Sequence, residues 1–113
     1  MHEFAVTKHM TELVLKEAER AGASKVTDIY LAIGDISSFI NESVQLYFDM
    51  YSKDTIASGA KLHFRRIPAE FVCRACGQSF TPKGDSFDCP ACGGLGKPTD
   101  KGHEFYVEKI DIV

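Results

Sequence analysis

Two Cys-x-x-Cys pairs separated by twelve residues constrain this chain more than any other feature. They lie in "CRACGQSFTPKGDSFDCPACGG", from Cys73 to Gly94. A Cys-x-x-Cys pair followed by glycine predicts a tight knuckle that aims two sulfurs at one point, and two knuckles supply the four thiolates of a tetrahedral site. Gly77 and Gly93 stand where the chain must pass through positive φ just beyond each knuckle. The loop carries only Phe80 and Phe87 as large apolar side chains, too few to offset the entropy of ordering it. A structural zinc contributes on the order of 10–16 kcal/mol to the folding of such modules. The expectation is therefore one zinc held by Cys73, Cys76, Cys89 and Cys92. Iron is the competing metal, because "CPACG" is also a rubredoxin-like knuckle, although the spacer is shorter than in that arrangement. A redox role is disfavoured, since two symmetric pairs at ribbon spacing exceed what it needs.

The flanking sequence predicts an α+β fold of two helices packed on a three-stranded β-sheet, with the zinc ribbon inserted between the second and third strands. Residues Phe4 to Ala21 read as a helix: Val6, Met10, Leu13, Val14 and Ala18 recur at three- and four-residue steps, and Gly22 follows as a left-handed cap. Val26, Ile29, Leu31 and Ile33 mark a strand ending near Gly34. Asn41 reads as an N-cap, with Val44, Tyr47, Phe48 and Tyr51 on one helical face behind it. Strand character returns from Ala60 in "KLHFRRIPAEFV" and in the C-terminal "HEFYVEKIDIV", each slipping phase once, at Arg65-Arg66 and at Glu108-Lys109. Two strands slipping at similar depth predict that they pair, with a bulge there and with Arg65 or Arg66 near Glu108. The domain reading is an α/β domain of residues 1–70 with 100–113, and a zinc-binding domain of residues 71–99.

Charge and patterning exclude several classes. The net charge of -3 and the lack of a basic cluster beyond Arg65-Arg66 argue against nucleic acid as a partner. No apolar run approaches the roughly 18–20 residues that span a bilayer, and the start lacks the pattern of a secretory signal. A cytoplasmic protein with no membrane partner is expected. No nucleophile elbow, phosphate-binding glycine loop or His-Glu-x-x-His helix occurs, so the chain does not read as an enzyme. His9, on the first helix, reads as an exposed or half-buried histidine, and His63, between Leu62 and Phe64, as facing solvent or a helix edge. His103 and Asp35 read as structural.

The opening Met-His-Glu is the second place where chemistry concentrates. The Met1 α-amine, the His2 backbone nitrogen and the His2 imidazole form adjacent chelate rings, and Glu3 can add a fourth donor. Nitrogen-rich sites of this kind suit Ni(II) or Cu(II), and the donor set alone does not choose between them.

"MHE" at the start, "IGDISSF" after the first strand, "CxxCG…CPxCGG" in the insert and "GHEFYVEKIDI" at the end together resemble the hydrogenase nickel-incorporation accessory family, HypA/HybF. The resemblance covers essentially the whole chain. It implies a nickel metallochaperone for [NiFe]-hydrogenase maturation. Nickel would be held by His2 and Glu3 with the Met1 amine, and zinc would be a structural element in the cysteine insert. The implied partners are a maturation GTPase and the hydrogenase large subunit, with urease served in some members, and the chain would be a monomer or weak homodimer. The alternatives left by the residues themselves are a zinc-ribbon interaction module and a rubredoxin-like iron electron carrier.

Overall fold

The computed structural model describes residues 2–37, 39–83 and 86–113, and of His2 and Glu3 it describes the backbone alone. Its elements run α1 (His2–Arg20), β1 (Val26–Gly34), α2 (Asn41–Ser52), β2 (Lys61–Ile67), β3 (Phe71–Cys73), β4 (Ser79–Phe80), β5 (Gly96–Pro98) and β6 (Phe105–Ile112). Two three-stranded sheets result, ordered β2-β1-β6 and β4-β3-β5. The chain divides into two compact units, one of residues 1–32, 38–65 and 105–113, the other of 33–37 and 66–104.

In the first unit the helices bury the stripes that their sequence spacing marks. Met10, Val14 and Ala18 of α1 and Val44 and Phe48 of α2 are buried, together with Val26, Ile29, Leu31 and Leu62 from the sheet. Leu13 departs from the expected stripe and is 46% exposed. It lines a groove between α1 and β6 with Val6, His9, Met10 and residues 105–110. Helix α1 ends in a Schellman motif: Gly22 at φ +71 donates to Glu19 O at 3.0 Å, and Ala23 donates to Ala18 O at 3.0 Å. At the start of α2 the expected cap is corrected by one residue. Ile40, extended at φ -106 and ψ 131, is the N-cap and makes no side-chain cap bond, so Asn41 is already helical. The Ile40 carbonyl takes the first helical bond, from Val44 N at 3.0 Å.

Strands β1 and β6 are antiparallel, tied by Gly34 N to Glu104 O at 2.8 Å and Val113 N to Lys25 O at 2.9 Å. Asp28 meets His63, and Asp35 N donates to Ile67 O, so β1 and β2 advance together and α2 forms the crossover that parallel neighbours require. The expected pairing of β2 with β6 does not occur, because β1 lies between them. The expected charge contact does occur. Arg65 reaches across β1 to Glu108, with Nε at 2.9 Å from Oε1 and Nη2 at 3.3 Å from Oε2. Strands two apart are separated by roughly 10 Å, a gap these two long side chains span. Similar phase in two strands thus reported a shared face, not a shared ladder.

Candidate metal centre

The second unit is a ribbon built on two equivalent turns. In the first, Gly77 N donates to Cys73 O at 3.0 Å and Cys73 N donates to Gln78 O at 2.9 Å. In the second, Gly93 N donates to Cys89 O at 2.8 Å and Cys89 N donates to Gly94 O at 2.8 Å. Gly77 and Gly93 take φ of +77 and +76, the left-handed region where a side chain is penalised. The second glycine of "CGG" has a different duty, because a Cβ on Gly94 would sit 3.0 Å from Cys73 Sγ and 3.3 Å from Cys92 Sγ. β3 pairs antiparallel with both β4 and β5, and this places Cys73 at the end of a strand opposite Gly96. Behind the cysteines, buried Phe71 and Phe80 pack with Cys73 and Cys89, and Phe87 stacks on Phe71 at 5.2 Å.

The four sulfurs lie within 4.8 Å of one another, with Cys73 and Cys92 at 3.4 Å and Cys76 and Cys89 at 3.8 Å. A tetrahedron of sulfurs about 2.3 Å from a central ion has edges of about 3.8 Å, so the cluster fits one tetrahedral metal. The first cysteine of each pair is buried and the second exposed. Backbone amides of Ala75 and Cys76 each donate to Cys73 Sγ at 3.4 Å. The Cys76 N–H, followed by that of Ala75, holds the Cys73 thiol down to about 6 against the opposing effect of burial. Cys92 receives a lowering bond from Gly94 N–H, but the sulfurs of Cys73, Cys76 and Cys89, together with burial, push it up to about 12. Four sulfurs this close cannot all carry charge without a cation among them.

The N-terminal candidates fall differently. Helix α1 begins at His2. Met1 and the side chains of His2 and Glu3 lie outside the described residues, so the chelate expected there is not defined by this geometry.

His63, expected at the surface, is held on the sheet face away from the helices. Its Nε2 is 2.8 Å from Asp28 Oδ1, and its ring stacks on Tyr30 at 4.5 Å. Tyr30 in turn donates to Asp111 Oδ2 at 2.9 Å and carries Lys109 Nζ 4.4 Å above its ring. The alternation of Asp28 and Tyr30 with Ile29 and Leu31 was the only signal for this network in the sequence. Its partners come from segments far apart in the chain. His9 lines the α1–β6 groove, and His103 is exposed beside the ribbon.

Two helices on a three-stranded sheet, with an inserted ribbon that gathers four thiolates, define a small two-unit α+β protein with a built metal site. The chain belongs to the HypA family, whose sequence profile, described as hydrogenase/urease nickel incorporation, metallochaperone, matches residues 1–112. It is 41% identical over 113 residues to the hydrogenase maturation factor HypA of Caldanaerobacter subterraneus subsp. tengcongensis, covering 99% of each chain. A hydrogenase maturation factor HypA of Dehalococcoides mccartyi is 40% identical over 112 residues, which cover 99% of this chain and 94% of that one. The fold matches the solution structure of the Ni metallochaperone HypA from Helicobacter pylori with a TM-score of 0.64 at 19% identity, covering 98% of this chain and 97% of that one. A second solution structure, of a HypA protein, matches with a TM-score of 0.71 at 20% identity, over 100% and 97% of the two chains.

Proposed function

We propose that this chain takes up Ni(II) through the Met1 α-amine, His2 and Glu3 and delivers it for maturation of [NiFe]-hydrogenase. In this reading Cys73, Cys76, Cys89 and Cys92 hold one structural Zn(II). The observation that carries it is the family match from residue 1 to residue 112, which takes in both the Met-His-Glu start and the four cysteines. Zinc suits the ribbon because it accepts four thiolates without geometric preference and without redox chemistry. It would offset two of the four negative charges, and the amides directed at Cys73 disperse more.

The helix start supports the nickel end. The first four N–H groups of a helix have no intrahelical acceptor, so in an α1 that begins at His2 the helix itself makes no use of the His2 and Glu3 N–H groups. With the terminal amine and the imidazole they make a nitrogen-rich donor set at the open end of the chain, where ligands exchange readily. Delivery is by ligand exchange, with no catalytic step. The cytoplasmic receivers are a maturation GTPase and the hydrogenase large subunit.

Nickel titration by calorimetry tests this on untagged, zinc-loaded protein beside His2→Ala and a variant extended by two residues before Met1. The wild type is expected to bind about one nickel and both variants to lose it. Equal binding by all three would place nickel elsewhere and overturn the reading.

A further inference from the structure

We propose that Cys76 is a modification site, the point at which soft electrophiles and peroxides enter the thiolate cluster and open it, with Cys89 as the resolving cysteine. The inference rests on the reading that the four cysteines hold one zinc. A thiolate remains a nucleophile in such a site. Its rate depends on access to the reagent and on the N–H groups that draw on its lone pairs. The four sulfurs differ in both respects.

Cys73 and Cys89 are 2% and 3% exposed and pack with Phe71 and Phe80. Cys76 and Cys92, the second cysteine of each knuckle, are exposed. Donors separate these two. Cys92 receives the Gly94 N–H. Among the described residues no N–H is directed at Cys76 Sγ, because the Ala75 and Cys76 amides of its own knuckle both turn to Cys73 Sγ, each at 3.4 Å. Of the four, Cys76 alone combines exposure with lone pairs that no amide draws on. Cys89 Sγ, from the opposite knuckle, lies 3.8 Å from Cys76 Sγ.

That neighbour completes a redox step. The Cys76 thiolate attacks one peroxide oxygen, the O–O bond breaks, and hydroxide leaves a sulfenic acid behind. The Cys89 thiolate then attacks the Cys76 sulfur, the S–S bond forms, the S–O bond breaks, and a second hydroxide leaves. Two thiolates have lost two electrons, and the peroxide, with two protons from solvent, has become two waters. Only Cys73 and Cys92 remain as ligands, too few for a closed tetrahedral site, so the ion is lost and the ribbon loses its main source of stability. With an alkyl iodide the same first attack forms an S–C bond, expels iodide and stops there.

Limiting iodoacetamide on the whole zinc-loaded chain tests the order of attack, with zinc release followed by a chromogenic chelator. Trypsin cleaves after Arg74 and Lys83, so Cys73, Cys76 and the Cys89–Cys92 pair fall on three peptides that mass spectrometry scores separately. Cys76 is expected to be labelled about tenfold faster than Cys73 or Cys89 and ahead of Cys92, with about one zinc released per label. Peroxide is expected to give a Cys76–Cys89 bridge first. Denatured, zinc-free protein should lose the preference, and its persistence there would trace it to local sequence and overturn the inference. An order that does not begin with Cys76, a Cys76 label that leaves zinc bound, or a first bridge other than Cys76–Cys89 also overturns it, while the zinc reading stands. Untreated protein that carries no zinc, or iron in its place, removes the zinc reading and the inference with it.

Discussion

Asp28 shows what a single side chain contributes on the sheet's outer face. The His63 imidazole, and after it the Thr27 hydroxyl, hold its carboxyl below the ordinary 3.8. A carboxyl whose pKa is lower folded than unfolded stabilises the fold above the unfolded value and ceases to do so as pH falls through the folded one. Asp28→Asn is therefore expected to lower the denaturant midpoint slightly at pH 7. The gap to wild type should close below about pH 3.8 and narrow in high salt, because the pair is partly exposed. Urea titrations of both proteins across pH check this, and a gap independent of pH would assign the loss to packing. The four cysteines were legible from spacing alone, because a local turn places each pair and two turns need only face one another. Asp28, His63 and Tyr30 were not, because nothing local in "VTDIY" or "KLHF" states which strand lies beside which.

Among elements, α2 carries Ile40 at its N-cap position, a side chain with no acceptor to offer the N–H groups of the first turn. Ile40→Asp or Ile40→Ser is expected to stabilise the protein by about 1 kcal/mol, read as a raised thermal midpoint with an unchanged fold. Ile40 is 56% exposed, so the exchange removes little buried area. No gain would mean that the first-turn donors are already satisfied. The existence and order of the helices and main strands could be read from apolar periodicity, since each buries one face. Their pairing could not, because β2 and β6 carry compatible patterns whether they touch or flank a third strand. Arg65 and Glu108 would find one another in either arrangement.

At the scale of the whole molecule the two units depend on different sources of stability. The first buries an extended apolar core, whereas the ribbon, residues 71–98, buries little beyond Phe71 and Phe80 around its cysteines among the described residues. Structural zinc supplies on the order of 10–16 kcal/mol in comparable modules. A strong chelator at neutral pH is thus expected to unfold the ribbon and spare the sheet. Hydrogen exchange should show amides of residues 71–98 losing protection while those of Ile29 and Leu31 keep theirs, and loss in both regions together would show one cooperative unit. Before any chelator is added the protein should be colourless and carry one zinc per chain, whereas iron would give visible charge-transfer bands.

The turn after β1 has a consequence for how such a molecule can change over time. Gly34 N holds Glu104 O and Asp35 N holds Ile67 O, so consecutive residues of one turn grip the chain where it departs for the ribbon and where it comes back. Gly34 has no room for a side chain there, since a Cβ would meet the Gly102 carbonyl carbon at 2.0 Å. An excursion whose ends are fastened side by side behaves as a cassette. Doubling its length costs only about 0.6 kcal/mol in closure entropy, and strand register is indifferent to what happens between the fastenings. Selection can therefore lengthen, trim or replace the thiolate module while the helices, the sheet and the chain's opening residues follow a separate history.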